Sequence, residues 1–221
     1  MSPASGAPVV LRIDFVSDVV CPWCAIGLAA LEQALARLEG EVQAEIHVWP
    51  FELNPGMGAD GEDIAEHLQA KYGMTAAQLA ENQERIRARG ADLGVVFGAR
   101  RRTWNTFDAH RLLHWAGIEG GQLGLKRALL RAYFTDGDNV SDHATLARVA
   151  GEAGLDVARA GEILASDAYA TDVRAAQAFF QRSGINSVPA IIIDRTHLVS
   201  GGQPVDVFER ALREIAVSKA G

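Results

Sequence analysis

The sequence predicts an α/β protein whose sheet is drawn from both ends of the chain, with a large all-α insertion between them. Three observations carry this. Strand-like apolar patterns occur at residues 9–16 and 42–51 and return only at 189–200. Between about Asp60 and Ser183 they nearly vanish, and helical stripes replace them. The two outer pieces read β-α-β and β-β-α, which together make one complete small α/β unit. The expected boundaries are 8–59 and 184–218 for this discontinuous unit and 60–183 for the inserted helical domain.

Each element follows from its residues. Val9, Leu11, Ile13 and Phe15 alternate with Val10, Arg12, Asp14 and Val16, the period of a strand. Ser17 to Val20 turn the chain into Cys21-Pro22-Trp23-Cys24, and Leu28, Leu31, Leu35 and Leu38 follow at helical spacing to a stop near Gly40. Pro22 suits a first helical turn, where its missing N–H is not needed. Ile46, Val48 and Trp49-Pro50-Phe51 mark a second strand, and the short crossover implies parallel pairing. In the insertion, Thr75-x-x-Gln78 has the form of a capping box before Leu79. Helical stripes run over 108–115, 123–133, 142–153 and 168–182, and Gly184 is a helix stop. Strands are expected at 189–194 and 197–200, a turn at Gly201-Gly202, and an amphipathic helix over 205–217. Short amphipathic helices need tertiary burial, so the insertion should pack as a cap beside the sheet.

Composition narrows the function classes. The 221 residues are 48% apolar and 22% charged, which excludes a largely disordered chain. A net charge of −7 argues against a polyanion partner such as nucleic acid. The basic run Arg100-Arg101-Arg102 reads as a solvated helix start. No apolar stretch is long enough to span a bilayer. Residues 1–8 read as a loose tail without the basic region of a secretory signal, so a cytoplasmic address is expected. With Cys21 and Cys24 alone, no structural disulfide framework exists, and catalysis or metal binding is the expected use of the pair.

The strongest chemical signal is that pair. Helix positions i and i+3 share a face about 5 Å apart, the Cα separation a disulfide needs. At a helix N-terminus the free N–H groups and the dipole favour negative charge. The thiol of Cys21, at the open end, should therefore fall below the free value of about 8.5 and supply the thiolate that attacks in disulfide exchange. Cys24, one turn inside, should be more buried and resolve the mixed disulfide. Two other uses compete. A zinc site would need two further ligands, which His110 and His114 at i, i+4 could supply. A purely structural bridge over so short a loop constrains almost nothing.

The second signal is Val188-Pro189 directly before Ala190-Ile-Ile-Ile193. Proline opening a strand can be an edge feature. With a CxxC elsewhere in the unit, a cis Val188–Pro189 bond beside the thiols is expected, leaving the Val188 backbone for an incoming chain to pair with. Asn54, Asn105, Thr106 and His110 are candidates to line a groove between cap and sheet, or are ordinary structural polar residues. Asp18 either tunes the thiolate or caps the helix. Trp23 is read as a packing and exposure determinant. His47 and His67 read as strand and helix surface.

Ser17-Asp18-Val-Val-Cys21-Pro-Trp-Cys24 after one strand and Gly184-Ile-Asn-Ser-Val188-Pro189 before another resemble the DsbA family of the thioredoxin superfamily. Pro50-Phe-Glu-Leu-Asn-Pro55, Asn105-Thr-Phe-Asp-Ala-His-Arg111, Arg131-Ala-Tyr-Phe134 and Ser200-Gly-Gly-Gln-Pro204 are similar to its FrnE-like, 2-hydroxychromene-2-carboxylate isomerase-like branch. The resemblance implies a thioredoxin fold with an inserted helical domain. It also implies a cis-proline loop at Pro189 facing the CxxC, and thiol–disulfide exchange through Cys21 and Cys24. The expected partners are proteins or glutathione carrying thiols or disulfides, in a monomer or homodimer, with no cofactor beyond the cysteine pair. Related kappa-class glutathione transferases and chromene isomerases carry serine at the first motif position, and in them segments matching Asn54, Val188 and Gly201-Gly202 help hold glutathione. A glutathione-dependent isomerase or transferase acting on a small aromatic substrate is the alternative function. Cys21 in place of that serine favours dithiol chemistry.

Overall fold

A computed structural model describes residues 7–220. The tail expected over residues 1–8 lies, as far as residue 6, outside the described residues. Strand β1 (Val9–Ser17), helix α1 (Pro22–Arg37) and strand β2 (Val42–Pro50) open the chain. β1 and β2 pair in parallel from Val9↔Val42 to Ser17↔Pro50, as the short helical crossover requires. The insertion runs through strand β3 (Glu62–Asp63), helices α2 (Ile64–Tyr72) and α3 (Ala76–Ala91), strand β4 (Arg102–Thr103), and helices α4 (Phe107–Glu119) and α5 (Gln122–Arg131). A π-helical turn over Ala132–Asp136 continues α5, followed by α6 (His143–Glu152), α7 (Val157–Leu164) and α8 (Ala170–Arg182). Strands β5 (Ala190–Ile193) and β6 (His197–Ser200) and helix α9 (Val205–Ala220) complete the chain. The main sheet has the order β2-β1-β5-β6, with β5 antiparallel to β1 and β6 antiparallel to β5.

The sheet buries both faces, and strand alternation decides which residue goes where. Leu11, Ile13 and Phe15 of β1 and Ile191 and Ile193 of β5 share one core with Leu28 and Leu31 of α1 and Phe208 and Leu212 of α9. The alternate residues Val16 and Ala190 form a second cluster with Phe180 of α8 and Ile185. Helices α4, α5 and α8 pack along β2, so the insertion sits at that edge of the sheet. The Thr75–Gln78 capping box is formed at the start of α3.

Two helices have no counterpart in the sequence patterns. α2 buries none of its residues, so it carries no apolar stripe to detect. α7 has eight residues and buries only Ala160, Ile163 and Leu164. The arginine run also departs from expectation. Arg101 and Arg102 are exposed, but α4 starts later, at Phe107, and Arg102 instead donates to the Asp60 and Gly61 carbonyls. Arg100 turns inward, its guanidinium 4.6 Å from the Phe134 ring and 5.2 Å from that of Tyr133, and burial lowers its pKa. Among the described residues, no helix is long and apolar enough to cross a membrane.

Candidate active site at the start of α1

Three chain segments converge on the cysteine pair. Cys21 is the N-cap residue of α1, with Pro22 in the first turn, and no side chain caps the helix. Its free N–H groups are thus available to negative charge. The Val188–Pro189 peptide is cis, and the Cys21 thiol donates to the Val188 carbonyl at 3.7 Å. Pro189 packs so close to α1 that a Cβ at Gly27 would lie 3.0 Å from Pro189 Cγ. The turn after β6 is the third segment, with Gly202 against the Trp23 carbonyl.

The two sulfurs differ. Both carry free thiols. Cys24 is wholly buried and Cys21 is 4% exposed. A hydrogen bond from the Cys24 thiol lowers the Cys21 pKa, with the Cys24 and Trp23 amides adding to it against burial and the Asp18 charge. Burial pushes the Cys24 thiol well above its ordinary value, and the Cys21 sulfur beside it adds to this. The expected asymmetry of charge is therefore present. The exposure expected of Cys21 is not, because the Val188–Pro189 loop lies over it.

Behind the thiols lies a cluster of ionisable side chains. Asp18 is fully buried and accepts from the Leu53 amide at 2.8 Å. It does not cap α1; it ties the β1–α1 turn to the segment after β2 and raises the Cys21 pKa. His110 of α4, also buried, places Nε2 3.5 Å from Asp18 Oδ1. Burial opposes ionisation of Asp18, but His110, the Leu53 amide and Lys126 outweigh it and hold the carboxyl below its ordinary range. His114, the other candidate metal ligand, instead meets the Tyr169 ring at 5.2 Å.

The remaining candidates divide. Trp23 is half-buried beside the cysteines, with the Arg85 guanidinium of α3 5.8 Å from its ring, so the insertion reaches over the site. Asn54 Oδ1 is taken by Lys71 Nζ at 2.6 Å and His67 Nε2 at 3.1 Å, in the wall of a shallow cavity of about 400 Å³ with Leu53, Met57 and Ala70. Asn105 accepts from the Phe107 amide and donates to the Met57 carbonyl, which shapes the start of α4. Thr106 is the buried N-cap of α4 but makes no side-chain cap. His110 thus pairs with Asp18 behind the thiols, whereas both asparagines are committed to loops. His67, read as surface, holds Asn54, and Lys126 was not selected at all. Its spacing from Leu129, Leu130 and Tyr133 places it on an inward face, which is a legible signal.

A DSBA-like thioredoxin domain matches residues 12–213, from within β1 through the whole insertion into α9. The chain belongs to the DSBA-like thioredoxin domain family. A probable DsbA oxidoreductase from Streptomyces coelicolor is 36% identical and superposes with a TM-score of 0.87, over 95% of this chain and 91% of that one. An uncharacterized protein of Bacillus subtilis (strain 168), YwbO, is 27% identical over 93% of this chain and 98% of its own. A 2-hydroxychromene-2-carboxylate isomerase shares the fold at 13% identity, with a TM-score of 0.70 over 95% of this chain and 98% of that one. The DSBA-like domain thus includes the insertion as well as both halves of the main sheet.

Proposed function

We propose that Cys21 and Cys24 are the redox pair of this DsbA-type thiol–disulfide oxidoreductase. The observation that carries the reading is the asymmetry at the start of α1: one sulfur with a lowered pKa at the helix opening, the other buried one turn behind it. The Cys21 thiolate attacks a substrate disulfide, forms a mixed disulfide and releases one substrate thiolate. Cys24, once deprotonated, attacks Cys21 Sγ, closes the Cys21–Cys24 bond and releases the second thiolate. The reverse sequence oxidises a substrate dithiol. Pro189 and Val188 border the attacking sulfur. A substrate strand displaces the Cys21 thiol from the Val188 carbonyl and pairs with that backbone. Trp23 supplies an apolar wall. Disulfide-bearing proteins or glutathione are the proposed substrates, and the cysteine pair needs no additional redox cofactor.

Reduction of insulin by dithiothreitol should accelerate with the native chain and not with Cys21→Ala. Iodoacetamide at neutral pH should label Cys21 before Cys24, with a rate midpoint below the free-thiol value of about 8.5. Labelling of Cys24 first would overturn the assignment.

A further inference from the structure

Building on the dithiol reading above, we propose that the basic stretch from Arg85 to Arg102 receives acidic polypeptide substrates and guides their disulfides to Cys21. The chain as a whole carries a net charge of −7, yet this stretch holds six arginines and one acid, Asp92. The fold gathers the arginines rather than dispersing them. Arg85 and Arg89 lie one turn apart on α3 and share a face. Beyond α3 the chain folds back on it: the Val95 amide donates to the Gly90 carbonyl, and the Phe97 ring leaves no room for a Cβ at Gly90. The Arg100 guanidinium stands 6.0 Å from the centre of that ring, and Arg101 follows, exposed.

Little of this charge is neutralised within the molecule. Elsewhere guanidinium groups meet carboxylates across the fold: Arg37 meets Asp206 at 2.7 Å, Arg127 meets Glu32 at 2.6 Å and Arg213 meets Glu41 at 3.2 Å. In this stretch Arg87 meets Glu84 of its own helix at 3.5 Å. Arg102 donates to the Asp60 and Gly61 carbonyls and stands opposite Asp63 in the β3–β4 register. Arg85, Arg89, Arg100 and Arg101 have no carboxylate within ion-pair distance among the described residues. Arg85 joins the stretch to the chemistry. Its exposed guanidinium lies 5.8 Å from the ring of Trp23, the residue beside Cys24, and its side chain bonds only Asn82. A guanidinium takes a carboxylate through two parallel hydrogen bonds. Arg85 and Arg89 are separated by about 6 Å along the helix, close to the about 6.6 Å between alternate side chains of an extended chain. Acids at alternate positions of a substrate strand therefore match the two arginines. The partner is a polypeptide rather than a nucleic acid, because the thiols at the end of the stretch react with disulfides, which polynucleotides lack, and the acidic remainder of the protein repels a long polyanion.

Three synthetic peptides of one length test this, each closed by one disulfide and carrying glutamate, serine or lysine at alternate positions beside it. The reduced native chain should attack the glutamate peptide roughly 10-fold faster than the serine peptide, and the lysine peptide more slowly than either. The preference should shrink as sodium chloride rises from about 0.05 to about 0.5 M, because exposed charges are screened. The readout is the ratio of glutamate to serine rates, in which any change in Cys21 itself cancels. Arg85→Gln combined with Arg89→Gln should bring the ratio near parity. Arg85→Glu combined with Arg89→Glu should turn the preference towards the lysine peptide. A native ratio near parity, a ratio unmoved by these variants, or a preference that survives high salt would overturn the proposal. So would a loss of rate confined to glutathione disulfide, or an oligonucleotide bound more tightly than the glutamate peptide with its cysteines replaced by serine. Failure of the native chain to react with any of the three peptides and with neutral dipyridyl disulfide would instead overturn the dithiol reading itself.

Discussion

Position 202 has no room for a side chain. A Cβ there would stand 2.9 Å from the Trp23 carbonyl oxygen and 3.4 Å from the Gly27 amide nitrogen, both backbone atoms that cannot swing aside. Its neighbour Gly201 needs glycine for a different reason, a φ of +81°, with only Gln203 Nε2 in ordinary contact range of the missing side chain, at 3.8 Å. The sequence reading of Gly201-Gly202 as a turn is right for Gly201, but the closeness of Gly202 to α1 has no local signature. Gly202→Ala should push the β6–α9 turn away from the first turn of α1. We expect a loss of about 1–3 kcal/mol, the usual range for overpacking, together with a slower attack of Cys21 on dithiobis(nitrobenzoate), read as release of coloured thionitrobenzoate. Denaturant midpoints and stopped-flow absorbance measure the two. A variant as stable and fast as the native chain would show that the turn yields freely.

At the scale of elements, the edge strand β2 is closed by a side chain. Gln122, the first residue of α5, accepts from the Val48 amide at 2.8 Å and donates to the Val48 carbonyl at 3.0 Å. It also donates to the Leu113 carbonyl of α4, so one amide joins strand and two helices. An open strand edge invites pairing with another chain; here the insertion occupies it. Gln122→Ala leaves a buried rung unpaired and should cost about 1–3 kcal/mol. Amide exchange at Val48 should quicken in the variant by more than at Ile13, in the interior strand β1. The helix containing Gln122 was legible from its stripe, but the role of the glutamine was not, because its partner lies in a strand 74 residues away. The same holds for α2, which interacts through polar residues such as His67 and Lys71 and buries no apolar stripe.

For the whole molecule, the site is assembled from every part of the chain: Cys21 from the first half of the sheet unit, Pro189 from the second, His110 and Lys126 from the insertion. Local patterns were enough for the four strands of the main sheet, for α1 with its cysteines, and for the proline opening β5, since period and punctuation are short-range properties; the two-residue strands β3 and β4, which pair inside the segment expected to be all-α, are too short to show a period. Which polar residues meet the thiols is a tertiary matter. Asn54 and Asn105 fit the expected groove by type, yet the fold uses both to shape loops. Burial of the thiols also couples their chemistry to the stability of the entire chain. Cys21 has a folded pKa below its unfolded one. Between the two values the unfolded chain holds a proton that the folded chain has released, so stability rises with pH there. That contribution is complete above about 8.5 and disappears as pH falls through the folded value. The reduced native chain should therefore gain on Cys21→Ala in denaturant midpoint as pH climbs from the folded Cys21 value towards about 8.5. A difference that stays flat across this window would place the Cys21 thiol at its ordinary value and remove the thiolate on which its attack depends.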